Sequence, residues 1–135
     1  VGKKTKFLKW IVEDMNLTDV EVVNDRAENL ARNLEYREKF DITVARAVAA
    51  LNTLSELCLP FVKVSGLFVA MKGMSPEEEI NMARRAINIL GGSIKEIKTY
   101  AIKENMKRSL IIIYKNKECP SKYPRRPGVP GKNPL

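Results

Sequence analysis

The sequence comprises 135 residues, with 24 Lys and Arg against 16 Asp and Glu and a formal charge of +8 at pH 7. Hydrophobic residues make up 44% and charged residues 30%, a globular composition that excludes a wholly disordered chain and, at this length, points to one domain. Histidine is absent, which excludes a Ser-His-Asp triad, a Cys-His pair and a His-rich metal site, while the basic balance suits a polyanionic partner. No apolar run approaches the roughly 18 residues of a membrane span. Val1–Leu17 interleaves its apolar residues with Lys and Glu, unlike a signal peptide. Cys58 and Cys119 have no metal-like spacing and read as reduced thiols of a cytoplasmic protein.

Residues 5–16 place Phe7, Leu8, Ile11, Val12 and Met15 at helical spacing. Glu21–Asn24 reads as a short strand, followed by a helical stretch holding Ala27, Leu30 and Ala31. Asp41–Ala45 is a strand entered through Phe40, and Val48–Val62 a largely apolar helix. Leu67–Met71 is a buried strand bounded by Gly66 and Gly73. Residues 76–90 carry the strongest helix signal. Ser75 is the expected N-cap, Pro76 the first helical residue, and Glu78 completes a capping box with Ser75. Ile80, Ala83, Ile87 and Leu90 line one face, and Gly91-Gly92 stop the helix. Ser93–Ile102 and Ser109–Lys115 then read as a hairpin. Strands separated by helices predict an α/β fold with a mostly parallel sheet and an antiparallel strand near one edge.

Residues 1–117 form the domain body in this reading, and 118–135 a basic, Pro-rich tail. The tail holds Lys122, Arg125, Arg126 and Lys132 against Glu118, together with Pro120, Pro124, Pro127, Pro130 and Pro134. Such dense proline predicts an extended, weakly ordered segment. It is either a solvated terminus or an arm that follows a phosphate backbone, with Tyr123 as a ring able to stack on a base.

In an open parallel sheet, ligands bind beyond the carboxyl ends of the strands. That rule selects Asp25-Arg26-Ala27-Glu28, Arg46 and Lys72-Gly73, so cations and carboxylates are expected to converge on one edge. Asp25 and Glu28 also read as helix N-terminal acids, and Lys72 as a lysine that snorkels. Arg46 interrupts the apolar sequence 42–50, and a buried arginine needs a carboxylate, a phosphate or a ligand. Lys3, Lys4 and Lys6 stand at the start of the first helix, where the macrodipole disfavours cations, which suggests an anion nearby or a solvated face.

The runs NDRAENLA, FDITVARAVA, LSELCLPFVKVSGLFVAMKG and KYPRRPGVPGKNPL resemble the bacterial small-subunit (16S) ribosomal RNA guanine-N7 methyltransferases, the glucose-inhibited division protein B family, over essentially all 135 residues. The resemblance implies a Rossmann-like fold that uses S-adenosylmethionine to methylate guanine N7 of 16S rRNA, free or in the small ribosomal subunit. It places Ala27 and Glu28 in the cofactor's adenosine pocket and Arg46 in its methionine and transfer region. Lys3, Arg26 and Lys72 match basic positions linked to activity or RNA contact; Arg125 and Arg126 are the corresponding candidates in the tail. No metal is implied.

The family's glycine-rich cofactor loop and ribose-binding acid have no counterpart in this sequence. By resemblance the chain is therefore the C-terminal portion of a longer enzyme and lacks the first two strands of a sheet ordered 3-2-1-4-5-7-6. It is then expected to be inactive alone. Guanine N7 carries a lone pair and no proton, so methyl transfer needs positioning and desolvation rather than an acid or base. The alternative from a different class is a non-catalytic basic module for RNA binding or ribosome assembly.

Overall fold

The computed structural model describes residues 2–46 and 49–135. Val1, Ala47 and Val48 lie outside the described residues, and with them the expected start of the helix at Val48 and part of the FDITVARAVA run.

The chain begins with helix α1 (Gly2–Asp14), passes through an irregular segment to one helical turn, α2 (Ala27–Leu30), and reaches strand β1 (Phe40–Ala45). Helix α3 (Leu51–Cys58) follows, then a 3-10 turn (Leu59–Phe61), strand β2 (Val62–Lys72) and helix α4 (Glu77–Ile89). Strands β3 (Gly92–Lys103) and β4 (Met106–Lys115) form the expected hairpin, and a last helical turn, α5 (Val129–Lys132), lies near the end. The sheet order is β1-β2-β4-β3. β1 pairs with β2 in parallel, and β4 is antiparallel to both β2 and β3, so β1, β2 and β3 run the same way. The sheet is thus mostly parallel with one antiparallel strand next to an edge, as expected, because a tight hairpin obliges its two strands to run in opposite directions.

Burial explains the register. Along β4, Ser109, Ile111, Ile113 and Lys115 are buried while Leu110, Ile112 and Tyr114 are half-buried, the period-2 signature of a strand packed more tightly on one face. Phe68 and Ala70 of β2 join Ile111 and Ile113 in one core with Leu51 and Leu54 of α3 and Ile80, Ala83 and Ile87 of α4. Gly66 allows β2 to close on β1, since a Cβ there would lie 2.6 Å from the Asp41 carbonyl oxygen. Pro60 lacks the N–H that a longer α3 would need, so the helix stops at Cys58 and Val62 begins β2 instead of ending a helix.

Two local expectations fail. Glu21–Asn24 is irregular, because a strand needs a ladder partner and no described strand lies beside it. Tyr36 instead anchors the segment, its hydroxyl donating to Glu21 Oε1 at 2.7 Å. The Ser75 capping box is also absent. Ser75 has φ 57°, outside the extended conformation a capping residue requires, and Pro76 caps α4 without a side-chain bond. Glu77, Glu78 and Glu79 still complement the helix dipole.

The terminal segment 118–135 is packed, not loose. Cys119 and Tyr123 belong to the hydrophobic core. Proline-rich backbone cannot form ladders, but its carbonyls still need donors, and two arginines supply them. Arg37 donates to the carbonyls of Cys119, Pro120 and Tyr123, and Arg32 to that of Pro124. Arg125 donates to Glu56 through its amide, Nε and Nη2, the last to Oε2 at 2.7 Å, and Glu56 is completely buried in α3. Arg125→Ala would leave that carboxylate without its charged partner and should lower unfolding free energy by about 3 kcal/mol. Arg126→Ala, at an exposed side chain, should change it by less than about 0.5 kcal/mol. Urea unfolding of both variants checks the contrast.

Candidate functional site

The carboxyl ends of β1 and β2 bring two expected residues together. Arg46 follows the last residue of β1 and Lys72 is the last of β2. Because β4 runs antiparallel to β2, its first residues arrive at the same end, with Lys72 paired to Ser109. Arg46, Lys72, Gly73, Tyr100, Met106 and Arg108 line a cavity of about 600 Å³ there. That volume falls within the range of small-molecule sites.

The three cations differ. Lys72 Nζ is 2.6 Å from Glu79 Oε1 and donates to the Ala49 carbonyl, and Glu79 also accepts the Leu51 amide. Lys72 is therefore a paired, mostly buried strut that ties the start of α3 to the first turn of α4, rather than a snorkelling side chain. Arg46 is exposed, contrary to the expected buried arginine, because β1 ends before it and leaves it at the cavity mouth. Arg108 donates to the adjacent Lys107 carbonyl. Among the described residues no carboxylate pairs with Arg46 or Arg108, so both retain full positive charge toward an anion.

Arg108 and Tyr100 were not legible as site residues. They stand directly opposite each other in the β3–β4 register, and the expected strand began at Ser109, one residue too late. Alternation carried two residues back along the hairpin is the signal that would have found them.

The expected carboxylate group lies elsewhere. Asp25 accepts the Arg26 amide at 2.7 Å and the Asn29 side chain at 3.0 Å, a local turn-capping arrangement. Glu28 is 4% exposed and accepts from Arg26 Nη2 at 3.0 Å and from the Gly128 amide at 3.1 Å. The terminal segment thus reaches a residue expected at the cofactor. Burial pushes the Glu28 carboxyl up. The Arg26 hydrogen bond, the amides of Glu28 and Gly128 and the Arg26 charge outweigh that and hold it below its usual range.

Ala27 lines a second, more apolar cavity of about 680 Å³, along with Val23, Thr43, Val44, Leu54 and Phe61. The hydroxyl of Thr43 is buried there without a partner. The single expected edge is therefore two cavities, with Glu28 outside the lining of either.

The remaining candidates fall outside both cavities. Lys3 is exposed on α1 and Arg126 exposed in the terminal segment. Arg125, expected to face RNA, has its guanidinium engaged by Glu56 and the Asn133 carbonyl. Cys58 and Cys119 are free, and burial pushes their thiols up to about 12 and about 11, which makes them poor nucleophiles at neutral pH. Among the described residues no group of Cys, Asp and Glu is placed to hold a metal, and no helix is long and apolar enough to cross a membrane.

Comparison with known proteins matches residues 1–111 to the family described as GidB, rRNA small subunit methyltransferase G. A protein of Geobacillus sp. (strain WCH70) named ribosomal RNA small subunit methyltransferase G is 47% identical over 134 residues, which is 98% of this chain and 56% of the relative. A protein of the same name from Acetivibrio thermocellus is 50% identical over 98% of this chain and 55% of its own length. The chain thus spans about half the length of the curated relatives it matches. Among solved structures, M. jannaschii TYW2 in complex with AdoMet has TM-score 0.56 at 13% identity, covering 81% of this chain and 51% of that one. Spermidine synthase from Thermotoga maritima has TM-score 0.50 at 17% identity, covering 82% of this chain and 39% of that one. At these identities the likeness is one of fold: a mixed α/β sheet shared with an AdoMet-binding protein.

The lowered Glu28 pKa has a pH signature. Its contribution is present at neutral pH, above the ordinary value of 4.5, and is lost as pH falls through the lower folded-state value. Glu28→Gln should therefore cost about 1.5 kcal/mol at pH 7 and flatten the acid limb of stability. Thermal melts between about pH 3 and pH 7 measure both effects.

Proposed function

The chain belongs to the rRNA small subunit methyltransferase G family, and on that premise we propose that it is part of an S-adenosylmethionine-dependent methyltransferase acting on guanine N7 of 16S rRNA. One observation carries the reading: two arginines with no carboxylate partner among the described residues, with a tethered lysine behind them, converge at the carboxyl ends of parallel strands. Ligands of open α/β sheets bind there.

The topology supports the finer fold reading. The order β1-β2-β4-β3, with the last strand in sequence antiparallel and inserted beside β2, reproduces the 4-5-7-6 half of the expected methyltransferase sheet. β1 is an edge strand whose side away from β2 has no ladder partner among the described strands, and Phe40, Ile42 and Val44, at alternate positions, are exposed large apolar residues on one face. Natural proteins avoid such an edge. We read it, with the apolar cavity beside it, as the surface on which the remaining strands of the sheet pair. Residues 1–117 then form a portion of the methyltransferase domain and 118–135 a basic, Pro-rich extension that straps it. The cytoplasm, where ribosomes are built, is the corresponding location.

The residues present fit S-adenosylmethionine in part. The Arg46 guanidinium suits a carboxylate such as the cofactor's methionine end, and Ala27 offers a small apolar face beside a buried hydroxyl with no partner. The Glu28 side chain is held by Arg26 and Gly128, so it would shape the pocket rather than bind ribose. When bound, the cofactor supplies an electrophilic methyl group. Guanine N7 needs no deprotonation, so this chain's residues bind and orient: Arg46 holds the cofactor's carboxylate, Arg108 holds phosphate or the guanine O6, and Lys72 keeps the strand ends in place. Lys3, Arg26 and Arg126 extend the basic surface for RNA.

A chimera in which residues 1–135 replace the matching half of the Geobacillus relative should methylate 16S rRNA. Arg46→Ala in that chimera should cut turnover by about 100-fold, equivalent to about 2.7 kcal/mol, with an unchanged melting temperature. Near-wild-type turnover of the variant would remove Arg46 from the site.

A further inference from the structure

Tyr100 stands out among the aromatic side chains. Phe7 stacks on Trp10, Tyr36 and Phe61 both contact Phe40, and Tyr123 is buried in the core. Tyr100 is 37% exposed, and among the described residues no hydrogen bond or ring contact engages it. It lies on β3 directly across from Arg108 on β4, and cross-strand partners project from the same face of a sheet. Both line the 600 Å³ cavity, with Ile102 and Met106 adding apolar surface and Arg46 a second free cation.

That combination of a free ring, aliphatic walls and cations at one mouth selects a particular ligand chemistry. A bare inorganic anion would use the arginines and leave the ring and the aliphatic walls wet. A nucleotide uses ring, walls and cation together: the base face covers the ring while a flanking phosphate meets the Arg108 guanidinium across from it. A base inside a duplex has both faces covered by its neighbours, so only an unpaired or extruded base could stack on the Tyr100 ring. We propose that Tyr100 is the platform on which a base of single-stranded or locally unpaired RNA stacks as it enters the cavity. The assignment rests on the reading of this chain as RNA-binding and adds the residue and the strandedness that recognition requires. The hairpin then delivers a stacking ring to the same end of the sheet at which the parallel strands deliver cations. Tyr100 is a substrate-binding residue here, with no proton to move.

Equilibrium binding to the 135-residue chain tests this, by anisotropy of a labelled ten-nucleotide oligouridine with one central guanosine, at several salt concentrations. Tyr100→Ala should weaken binding about tenfold to a hundredfold and leave the salt slope unchanged, because stacking releases no counterions. Tyr100→Phe, which keeps the ring, should bind within about twofold of wild type. A fully abasic ten-unit ribose-phosphate strand of the same charge should bind wild type more weakly and be insensitive to Tyr100→Ala. A fully paired duplex should be insensitive as well. Wild-type affinity in Tyr100→Ala overturns the proposal, as does a Tyr100→Phe variant as weak as the alanine one. Equal losses on intact and abasic RNA would also overturn it, since a distorted hairpin, not a lost platform, produces that pattern. Absence of any binding by wild type at low salt overturns it outright. Methyl transfer by the chimera is measured separately: an inactive chimera with Tyr100-dependent binding defeats the enzymatic reading and leaves the platform standing.

Discussion

A lysine with no access to solvent organises the end of this molecule opposite its cavity of cations. Lys115, the last residue of β4, is completely buried. Its ammonium donates to the carbonyls of Leu59 and Val62 at 2.7 and 2.9 Å and lies 3.0 Å from Glu38 Oε2. A buried charge is tolerated only when its donors are satisfied and its charge is balanced. Meeting both demands fixes β4 against the start of β2, fixes the loop before β1 through Glu38, and recruits the terminal segment, because Glu38 also accepts the Cys119 amide. With the strands pinned at one end, their register at the other follows residue by residue. The alignment of Lys72 with Ser109, and hence the arrival of Arg108 beside Arg46, is a consequence.

The terminal segment repeats this logic with arginine. Its five prolines remove backbone donors and preclude a ladder, so its cohesion comes from side chains reaching in from the body of the domain. Arg32 and Arg37 cap its carbonyls, and Glu56 takes Arg125 from the middle of a helix. Basic residues that a composition count assigns to a polyanion are here internal fasteners. The Gly128 amide on Glu28 extends the strap toward the expected cofactor region, so terminal segment and site share one hydrogen-bonded framework. Other cations are left outward: Lys3, Arg46 and Arg126 are exposed and Arg108 is half-buried at the cavity.

Ion pairing thus sorts similar residue types into different work. Lys72 and Arg46 occupy equivalent places at the ends of parallel strands, but Glu79 captures the first and no described carboxylate reaches the second. Lys72 becomes a strut between two helices and the strand ends, while Arg46 remains available to a ligand. The distinction depends on where α4 begins, since Glu79 sits in its first turn.

Periodicity and punctuation by themselves determined the positions of α1, α4, β1 and the hairpin, and the assignment of Arg46 and Lys72 to strand ends, because those signals are local. Resemblance in the runs around Asp25–Glu28 and Leu54–Gly73 determined the family. Tertiary structure alone decided the rest. Glu21–Asn24 has strand-like composition but no ladder partner, so it is irregular. The Pro-rich terminus has the composition of a loose arm, yet distant arginines and a buried glutamate hold it. Tyr100 and Arg108 became a pair only through the register of β3 on β4, and Glu28 met the Gly128 amide across 100 positions of sequence. The physical reason is common to all of these. A hydrogen bond or ion pair between remote segments leaves no local periodic trace, and whether a polar group is paired, buried or free depends on what the rest of the chain places beside it.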